Sequence, residues 1–331
     1  MTSIMTTTHP FGDTPPAFVL GTMAMTGYYG PSSDSQSRQT LDFYLQHGGR
    51  WIDTADLYAN GANETLVGDA IRQRRDDVVL CTKFGYLFGE RADQRGLDAR
   101  PERVEAACDA SLLRLGTDVI DLYYLHRVDP NVPLEDTYGA MTRLVEKGKV
   151  RALGLCEVGP GAYARAQRIH PVAVVQSEYS LWSREPETDI IPALKQQGSW
   201  FFGYASLGRG ILSGALKSPD DLPPGDQRRD MPRFQGENFY KNLELVEQLR
   251  ALAEQSGASA AQLALAWCKR SGEATPIVGV TEPQHVSDAM HAAALRLDAT
   301  VWQQLDAVFA PGAAAGQRYP DSAMKRLQSG R

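Results

Sequence analysis

The sequence predicts a single α/β domain built as a (β/α)8 TIM barrel. Eight short apolar runs alternate with longer amphipathic stretches, and the short connections between them favour parallel strands with right-handed crossovers. An open, doubly wound sheet is the alternative, and it would place a GxGxxG motif directly after the first strand. This chain reads GTMAMTGYYG there, which does not match, and eight strand–helix units favour closure into a barrel.

The eight apolar runs are the predicted barrel strands. Seven of them are rich in β-branched or aromatic residues, as strands are. The predicted strands cover residues 17–21, 50–54, 77–83, 118–126, 150–157, 172–179, 199–205 and 274–280.

Helix start and stop signals lie between the strands. Pro101 stands at a first helical position and Gly116 follows the last one, the asymmetry expected of helix ends. Helices are predicted over 35–47, 63–72, 101–115, 134–147, 160–170, 187–197, 238–256, 259–270 and 283–293. Residues 206–236, after the seventh strand, are instead rich in Pro, Gly and charge, and a loop of this length is usually functional or disordered.

Composition narrows the function classes. The formal net charge is −6 and no basic block occurs, so neither nucleic acid nor an acidic membrane surface is an expected partner. No apolar run approaches the length of a membrane span, and the N-terminus lacks the apolar core of a secretory signal. Four scattered cysteines without zinc-site spacing suggest reduced thiols, so we expect a cytoplasmic protein. Residues 1–331 form one domain, with 1–12 expected to be disordered.

Four polar residues follow predicted strands: Asp53 and Tyr58 after the second, Lys83 at the third and His126 at the fourth. Each alone has an ordinary structural explanation, such as a turn cap, a core ring, a solvated strand end or a satisfied histidine. Because the carboxyl ends of barrel strands meet at one mouth, we expect the four side chains to face each other there.

The four residue types suit the reduction of a carbonyl group. A carbonyl that accepts hydride becomes an alkoxide and needs a proton, which Tyr58 can donate although a free tyrosine has a pKa near 10. The ammonium of Lys83 would lower that pKa, Asp53 would hold the ammonium, and His126 would orient the carbonyl oxygen. This chemistry needs no metal, and none is expected.

Several motifs together resemble the aldo-keto reductase superfamily. They are DTADLY, TKFG, DLYYLH, GLCEV, QSEYSLW and YASLGRGILSG, and the resemblance covers about residues 18–297. It is strongest to bacterial and plant members with segments like SEYSLWSREPE (177–187) and PRFQGENFYKN (232–242). The resemblance implies that Asp53, Tyr58, Lys83 and His126 are the catalytic tetrad of an NADPH-dependent reductase of aldehydes or ketones.

The resemblance also implies where the cofactor binds. The nicotinamide would stack on Tyr204, the pyrophosphate would follow the Gly-rich SLGRG segment, and the adenosine would meet the start of the last barrel helix. Besides Asp53, the implied cofactor-binding residues are Gly21, Thr22, Met23, Cys156, Glu157, Gln176, Tyr204, Ala205, Ser206, Leu207, Gly208, Arg209, Gly210, Gly279, Val280, Thr281, Glu282, His285 and Asp288. Cys156 replaces a serine that is usual at its position.

Glu282 leaves the choice of dinucleotide open. Similar proteins often carry a lysine here, and a carboxylate would repel the 2′-phosphate of NADPH but accept a hydrogen bond from the ribose of NADH. Thr281, His285 and the helix amides could still bind the phosphate. NADP(H) is therefore expected to be preferred, with NAD(H) possible.

The substrate is less well determined than the cofactor. Aromatic and apolar residues could form a pocket wall or ordinary packing: Met25, Tyr28, Phe84, Tyr86 and Trp182. A narrow-substrate biosynthetic ketoreductase of sugar or secondary metabolism is one alternative. A cofactor-binding regulatory subunit resembling potassium-channel β subunits is another, but the tetrad is intact. The oligomeric state stays open.

Overall fold

Eight parallel strands form a closed barrel in the computed structural model, which describes residues 9–88, 96–328 and 330. The strands are β1 (Val19–Gly21), β2 (Trp51–Asp53), β3 (Val79–Phe84), β4 (Ile120–Leu125), β5 (Val150–Cys156), β6 (Val172–Glu178), β7 (Trp200–Tyr204) and β8 (Ala274–Gly279). Each strand pairs with its neighbours in sequence, and β1 pairs with β8, Leu20 opposite Val278, to close the ring. The predicted fold class is confirmed, and every predicted strand overlaps an observed one.

Helices surround the barrel. They are α1 (Asp34–Gln46), α2 (Ala62–Ile71), α3 (Pro101–Leu115), α4 (Leu134–Glu146), α5 (Pro160–Gln167), α6 (Ile190–Gln197), α7 (Gly236–Gln255), α8 (Ala260–Lys269), α9 (Pro283–Ala294), α10 (Ala299–Val308) and α11 (Asp321–Gln328). None of the helices in the described ranges is both long and apolar enough to cross a membrane. The ends follow the predicted signals: α3 begins at Pro101 and ends at Leu115, and Gly116 caps it with a left-handed φ of +63°.

The buried apolar side chains form two hydrophobic clusters. The smaller one takes residues from all eight strands, among them Val19, Leu122 and Phe202, and fills the barrel. The larger one lies between the strands and the helices and includes Leu41, Val104 and Leu263. A packed interior leaves the carboxyl-terminal mouth as the place where polar side chains can be presented.

Four features differ from the sequence prediction or extend it. Helices α10 and α11 were not predicted, and neither was a two-stranded antiparallel sheet of Tyr86–Leu87 and Gly96–Leu97. Of the segment expected to be disordered, residues 1–8 lie outside the described residues. His9 is described, and its ring stacks on that of Trp200 with 3.6 Å between centroids, so it belongs to the packed structure.

The long segment after β7 is a series of short 3-10 turns. They span Gly208–Ser213, Pro219–Asp221, Gln227–Asp230 and Pro232–Phe234. Two buried arginines anchor the segment: Arg228 donates to the carbonyl of Arg209 at 2.9 Å, and Arg233 donates to the carbonyl of Trp182 at 3.1 Å. The segment is therefore held in place by ionic and hydrogen-bonding side chains, and its sequence accordingly shows no apolar periodicity.

Candidate active site

The structure brings Asp53, Tyr58, Lys83 and His126 together at the carboxyl-terminal mouth. Asp53 ends β2, Lys83 lies near the end of β3, and His126 directly follows β4. Tyr58 opens a 3-10 turn after β2, and the centre of its ring lies 5.0 Å from the Lys83 ammonium and 6.2 Å from the His126 ring. The barrel thus produces the grouping that the sequence predicts.

Lys83 is held by a buried ion pair. Its side chain is fully buried, and its Nζ donates to Oδ1 of Asp53 and, at 2.8 Å, to the carbonyl of Thr54. Burial is the largest single influence and alone would lower the pKa of Lys83, but Asp53, Tyr58 and Cys156 together outweigh it, so the lysine pKa lies above its ordinary value. Lys83 is therefore a fixed cation at neutral pH.

The third proton of the Lys83 ammonium is directed at Tyr58. Nζ donates to the hydroxyl oxygen of Tyr58 at 3.3 Å. Burial raises the pKa of Tyr58, and the Lys83 ammonium opposes that rise without cancelling it. The Lys83 ammonium acts in the expected direction, but the net pKa of Tyr58 lies above its ordinary value because burial outweighs the nearby charge. Tyr58 is a protonated acid with a cation beside its oxygen.

His126 is neutral at the same mouth. Its side chain is buried, and burial lowers its pKa well below the ordinary value, assisted by the cations of Arg127 and Lys83. Its Nδ1 has no hydrogen-bond partner among the described residues. A buried polar atom without a partner is costly, and at the mouth of the barrel a catalytic role is one explanation for it.

One large cleft opens over the tetrad and continues along the mouth to the start of α9. Its volume is about 1180 Å³, enough for a dinucleotide together with a small substrate. Nineteen of the residues predicted to act in the site line it: Gly21, Thr22, Met23, Tyr28, Asp53, Tyr58, Tyr86, His126, Gln176, Tyr204, Ala205, Ser206, Leu207, Arg209, Gly210, Gly279, Thr281, His285 and Asp288.

The residues expected near the nicotinamide differ in how they are placed. Gln176 lines the cleft and donates from Nε2 to Oδ2 of Asp53 at 2.9 Å. Tyr204 donates to Oε1 of Glu157 at 2.7 Å, and its hydroxyl lies 2.9 Å from that of Tyr319. Cys156 is buried, burial raises the pKa of its thiol to about 12, and neither it nor Glu157 lines the cleft.

The segment expected to follow the pyrophosphate has unusual backbone. Ala205 and Arg209 have φ values of +53° and +60°, a region that non-glycine residues seldom adopt and that often marks functional sites. The Arg209 guanidinium donates to Oε2 of Glu178 at 3.0 Å and lies 4.7 Å above the ring of Tyr319. Gly208 is packed against Trp182, where a Cβ would come within 2.5 Å of the indole, so it supports the segment from below.

At the far end, Thr281, His285 and Asp288 line the cleft beside the first turn of α9. Val280 is fully buried behind them. Glu282 is the N-cap residue of α9, and its side chain is 47% exposed with Oε1 3.2 Å from Nε2 of His285. Its carboxylate therefore lies beside the cleft rather than within its wall.

The five residues expected at the substrate split into two groups. Tyr28 and Tyr86 line the cleft, and the ring of Tyr86 stands edge-on to that of His126 at 5.0 Å. Met25, Phe84 and Trp182 are buried in the large hydrophobic cluster, and Phe84 stacks on Tyr123 at 5.0 Å. These three are packing residues in the structure and do not form the wall.

The C-terminal segment supplies residues that sequence reasoning missed. Tyr319, Pro320 and Ala323 line the cleft, and Arg318 forms a buried ion pair with Glu157 at 3.1 Å. Arg127, directly after His126, also lines the cleft and is buried. The position of Arg127 next to a predicted catalytic histidine could have identified it as a site residue. Nothing in the sequence of the C-terminal segment indicates that this segment crosses the barrel mouth.

Comparison with known proteins agrees with this geometry. The aldo/keto reductase family model matches residues 17–310. Aldo-keto reductase yakc [NADP(+)] of Schizosaccharomyces pombe is 39% identical over 322 residues, which cover 95% of this chain and 94% of that protein. Probable aldo-keto reductase 1 of Glycine max is 37% identical over 302 residues, covering 90% and 87%.

Solved structures share the fold. The glycerol dehydrogenase AKR11B4 from Gluconobacter oxydans has a TM-score of 0.81 at 29% identity and covers 89% of this chain and 91% of its own. Aldo-keto reductase AKR11C1 from Bacillus halodurans, in its holo form, has a TM-score of 0.74 at 25% identity, covering 91% and 94%. Because the family model matches most of the chain, this protein belongs to the aldo/keto reductase family.

Proposed function

We propose that this chain reduces an aldehyde or ketone carbonyl with NADPH, using Tyr58 as the proton donor. The observation that carries the proposal is the double contact of Lys83, which pairs with Asp53 and also donates to the hydroxyl oxygen of Tyr58. The nicotinamide, when bound, supplies the hydride to the carbonyl carbon. The protein's residues hold the cofactor, orient the carbonyl and provide the proton.

The cleft suits a dinucleotide in size and lining. At the exposed Gly279, a Cβ would stand in open space, so its absence leaves room along the cleft. The amides of the first turn of α9 have no side-chain cap, and such helix starts attract phosphate. Gln176 and Tyr204 would hold the nicotinamide, residues 206–210 would hold the pyrophosphate, and the start of α9 would hold the adenosine end.

Tyr58 is prepared to give up its proton. Because Lys83 donates to the phenolic oxygen, the tyrosine O–H is left to point elsewhere, toward a carbonyl oxygen in the cleft. Its raised pKa keeps it protonated until the alkoxide develops. The Lys83 ammonium then stabilises the phenolate that forms, and Asp53 keeps the ammonium in position.

His126 would orient the same oxygen. Its lowered pKa keeps the imidazole neutral, so one ring nitrogen carries a proton and can donate a hydrogen bond. A neutral donor does not compete with Tyr58 as the acid. Orientation by His126 and proton transfer by Tyr58 are therefore separate tasks.

We further propose that NADP(H) is preferred over NAD(H). The Schizosaccharomyces pombe relative carries NADP(+) in its name, and Thr281 and His285 line the adenosine end with polar groups. The neighbouring Glu282 carboxylate would weaken that preference by repelling the 2′-phosphate.

A turnover screen tests the proposal. Purified protein is mixed with NADPH or NADH and a panel of aliphatic, aromatic and sugar-derived carbonyl compounds, and cofactor oxidation is followed by absorbance. We expect turnover of several aldehydes with NADPH and little with the Tyr58→Phe variant. Tight cofactor binding without turnover of any carbonyl would instead support a regulatory subunit.

A further inference from the structure

Arg127 differs from the other buried cations of the protein. Within the described residues, five Lys and Arg residues are buried as whole residues, and four of these pair with carboxylates: Lys83 with Asp53, Arg228 with Asp226, Arg233 with Glu178 and Arg318 with Glu157. Arg127 forms no ion pair within the same ranges. A buried guanidinium that no carboxylate contacts keeps N–H donors that a ligand can use.

Arg127 lies at the substrate end of the cleft. It directly follows His126, is 8% exposed and lines the cleft. The carbon of its guanidinium lies 6.0 Å from the centre of the Tyr86 ring, and the His126 ring lies 5.0 Å from that same centre. The cation and the catalytic imidazole thus face one tyrosine.

Most of the hydrogen-bonding capacity of Arg127 is available. Nη1 donates to the carbonyl of His126 at 2.6 Å, and this is the one hydrogen bond that the described residues give it. A guanidinium carries five N–H donors in a planar fork that matches a carboxylate.

The nearby carboxylate of Glu157 is already engaged. It accepts from Arg318 at 3.1 Å, from the Tyr204 hydroxyl at 2.7 Å and from the backbone N–H of Glu178 at 2.8 Å. Glu157 therefore influences Arg127 through space but does not occupy its fork. Within the described residues no carboxylate occupies the Arg127 fork, and because Arg127 lines the cleft, a ligand bound there can reach it.

We propose that Arg127 binds the carboxylate of the substrate, so that the enzyme reduces oxo acids, with the aldehyde or ketone a few carbons from the acid group. The proposal rests on the proposed function of the site. Bound NADPH would supply the hydride to the carbonyl carbon and become NADP⁺, Tyr58 would give its proton to the carbonyl oxygen, and the carboxylate would stay unchanged. Arg127 fixes the acid end while Tyr58 and His126 engage the carbonyl.

The test compares succinate semialdehyde with its methyl ester, which removes the charge and keeps the aldehyde. The ratio of kcat/KM for acid over ester is measured in the native enzyme, Arg127→Lys and Arg127→Met. We expect a native ratio of about ten or more, from charge-assisted hydrogen bonds. It should fall to about one in Arg127→Met and lie between in Arg127→Lys, which keeps the charge without the fork.

Because each ratio is taken within one variant, a loss of folded protein does not alter it. A native ratio near one, or a ratio that Arg127→Met leaves unchanged, would overturn the proposal. If neither compound is reduced, the proposed function fails, and calorimetric titration of succinate semialdehyde into the protein with NADP⁺ decides about Arg127. If succinate semialdehyde binds the native protein but not Arg127→Met, Arg127 binds the carboxylate. If it binds neither protein, or binds both equally, the proposal is refuted.

Discussion

The Lys83 ammonium lies 3.3 Å from the hydroxyl oxygen of Tyr58 and points one of its three protons at it. The other two are directed at Asp53 and at the carbonyl of Thr54. All three donors of the ammonium are therefore used inside the protein. Lys83 has no proton left for a substrate, which makes it a stabiliser of the tyrosine oxygen rather than an acid itself.

Replacing Tyr58 with phenylalanine should lower kcat and leave cofactor affinity nearly unchanged. The ring keeps its place over the lysine while the proton donor is removed, so kcat for aldehyde reduction should fall at least the roughly 10²-fold typical of a lost general acid. NADPH affinity, measured by fluorescence quenching, should change little. A near-normal kcat would show that another group donates the proton.

Removing one partner of the Lys83–Asp53 pair should lower the free energy of unfolding more than neutralising both partners. Lys83→Met leaves a buried carboxylate without its cation, which should cost about 3–5 kcal/mol in the free energy of unfolding. Adding Asp53→Asn should restore part of that loss, since the uncompensated charge disappears. Urea unfolding of the single and double variants checks this, and both should be inactive. A double variant no more stable than Lys83→Met would contradict the account.

Glu157 should make the protein more sensitive to acid. Burial alone would raise its pKa, but the guanidinium groups of Arg318 and Arg127 lower it to about 2 from an ordinary value of 4.5. A depressed pKa contributes stability above pH 4.5 that is lost as the pH falls through 4.5 toward 2, here roughly 3 kcal/mol.

Glu157→Gln gives the matched comparison for this pH dependence. The difference in unfolding free energy between the native protein and the variant should be largest above pH 5 and should shrink as the pH falls, because the native carboxylate becomes protonated. Acid effects of other carboxylates are shared by both proteins and cancel. A difference that stays constant from pH 6 to pH 3 would mean that the carboxylate is not depressed.

Glu282→Lys should strengthen the preference for NADPH. The side chain lies beside His285, which lines the cleft, and reversing its charge replaces repulsion of the 2′-phosphate by attraction. For a partly exposed pair the effect should be about 1 kcal/mol, or roughly fivefold in the NADPH-to-NADH ratio of kcat/KM. Glu282→Gln should give an intermediate ratio. If the NADPH-to-NADH ratio of kcat/KM is unchanged in both variants, Glu282 does not affect the choice of cofactor.

The sequence was sufficient for features that depend on local patterns. The barrel strands are apolar runs bounded by turn residues, and Asp53, Lys83 and His126 stand at strand ends, so the topology alone assembles them. Helix α11 is amphipathic, but a pattern of only eight residues, DSAMKRLQ, does not indicate where in the fold the helix lies. Its position depends on contacts such as Arg318 with Glu157, which join residues far apart in the chain.

Burial explains the remaining differences between the sequence-based predictions and the structure. Met25 and Phe84 read as pocket residues because they follow strands that line the mouth, but packing against the outer helices takes them into the core. Burial also outweighs the Lys83 charge in setting the Tyr58 pKa. Neither outcome follows from residue type and spacing, because both depend on how completely neighbouring elements exclude water.

The described part of the tail after α10, residues 309–328 and 330, offers a route by which new specificity could evolve. It is tied to the mouth by Arg318 and by the bond from the Gly159 amide to the Gly330 carbonyl, while Tyr319, Pro320 and Ala323 face the cleft. These three residues belong to none of the barrel strands, so substitutions there can reshape the cleft without repacking the barrel. Exchanging tails between relatives would vary substrate choice while the hydride-transfer machinery is inherited intact.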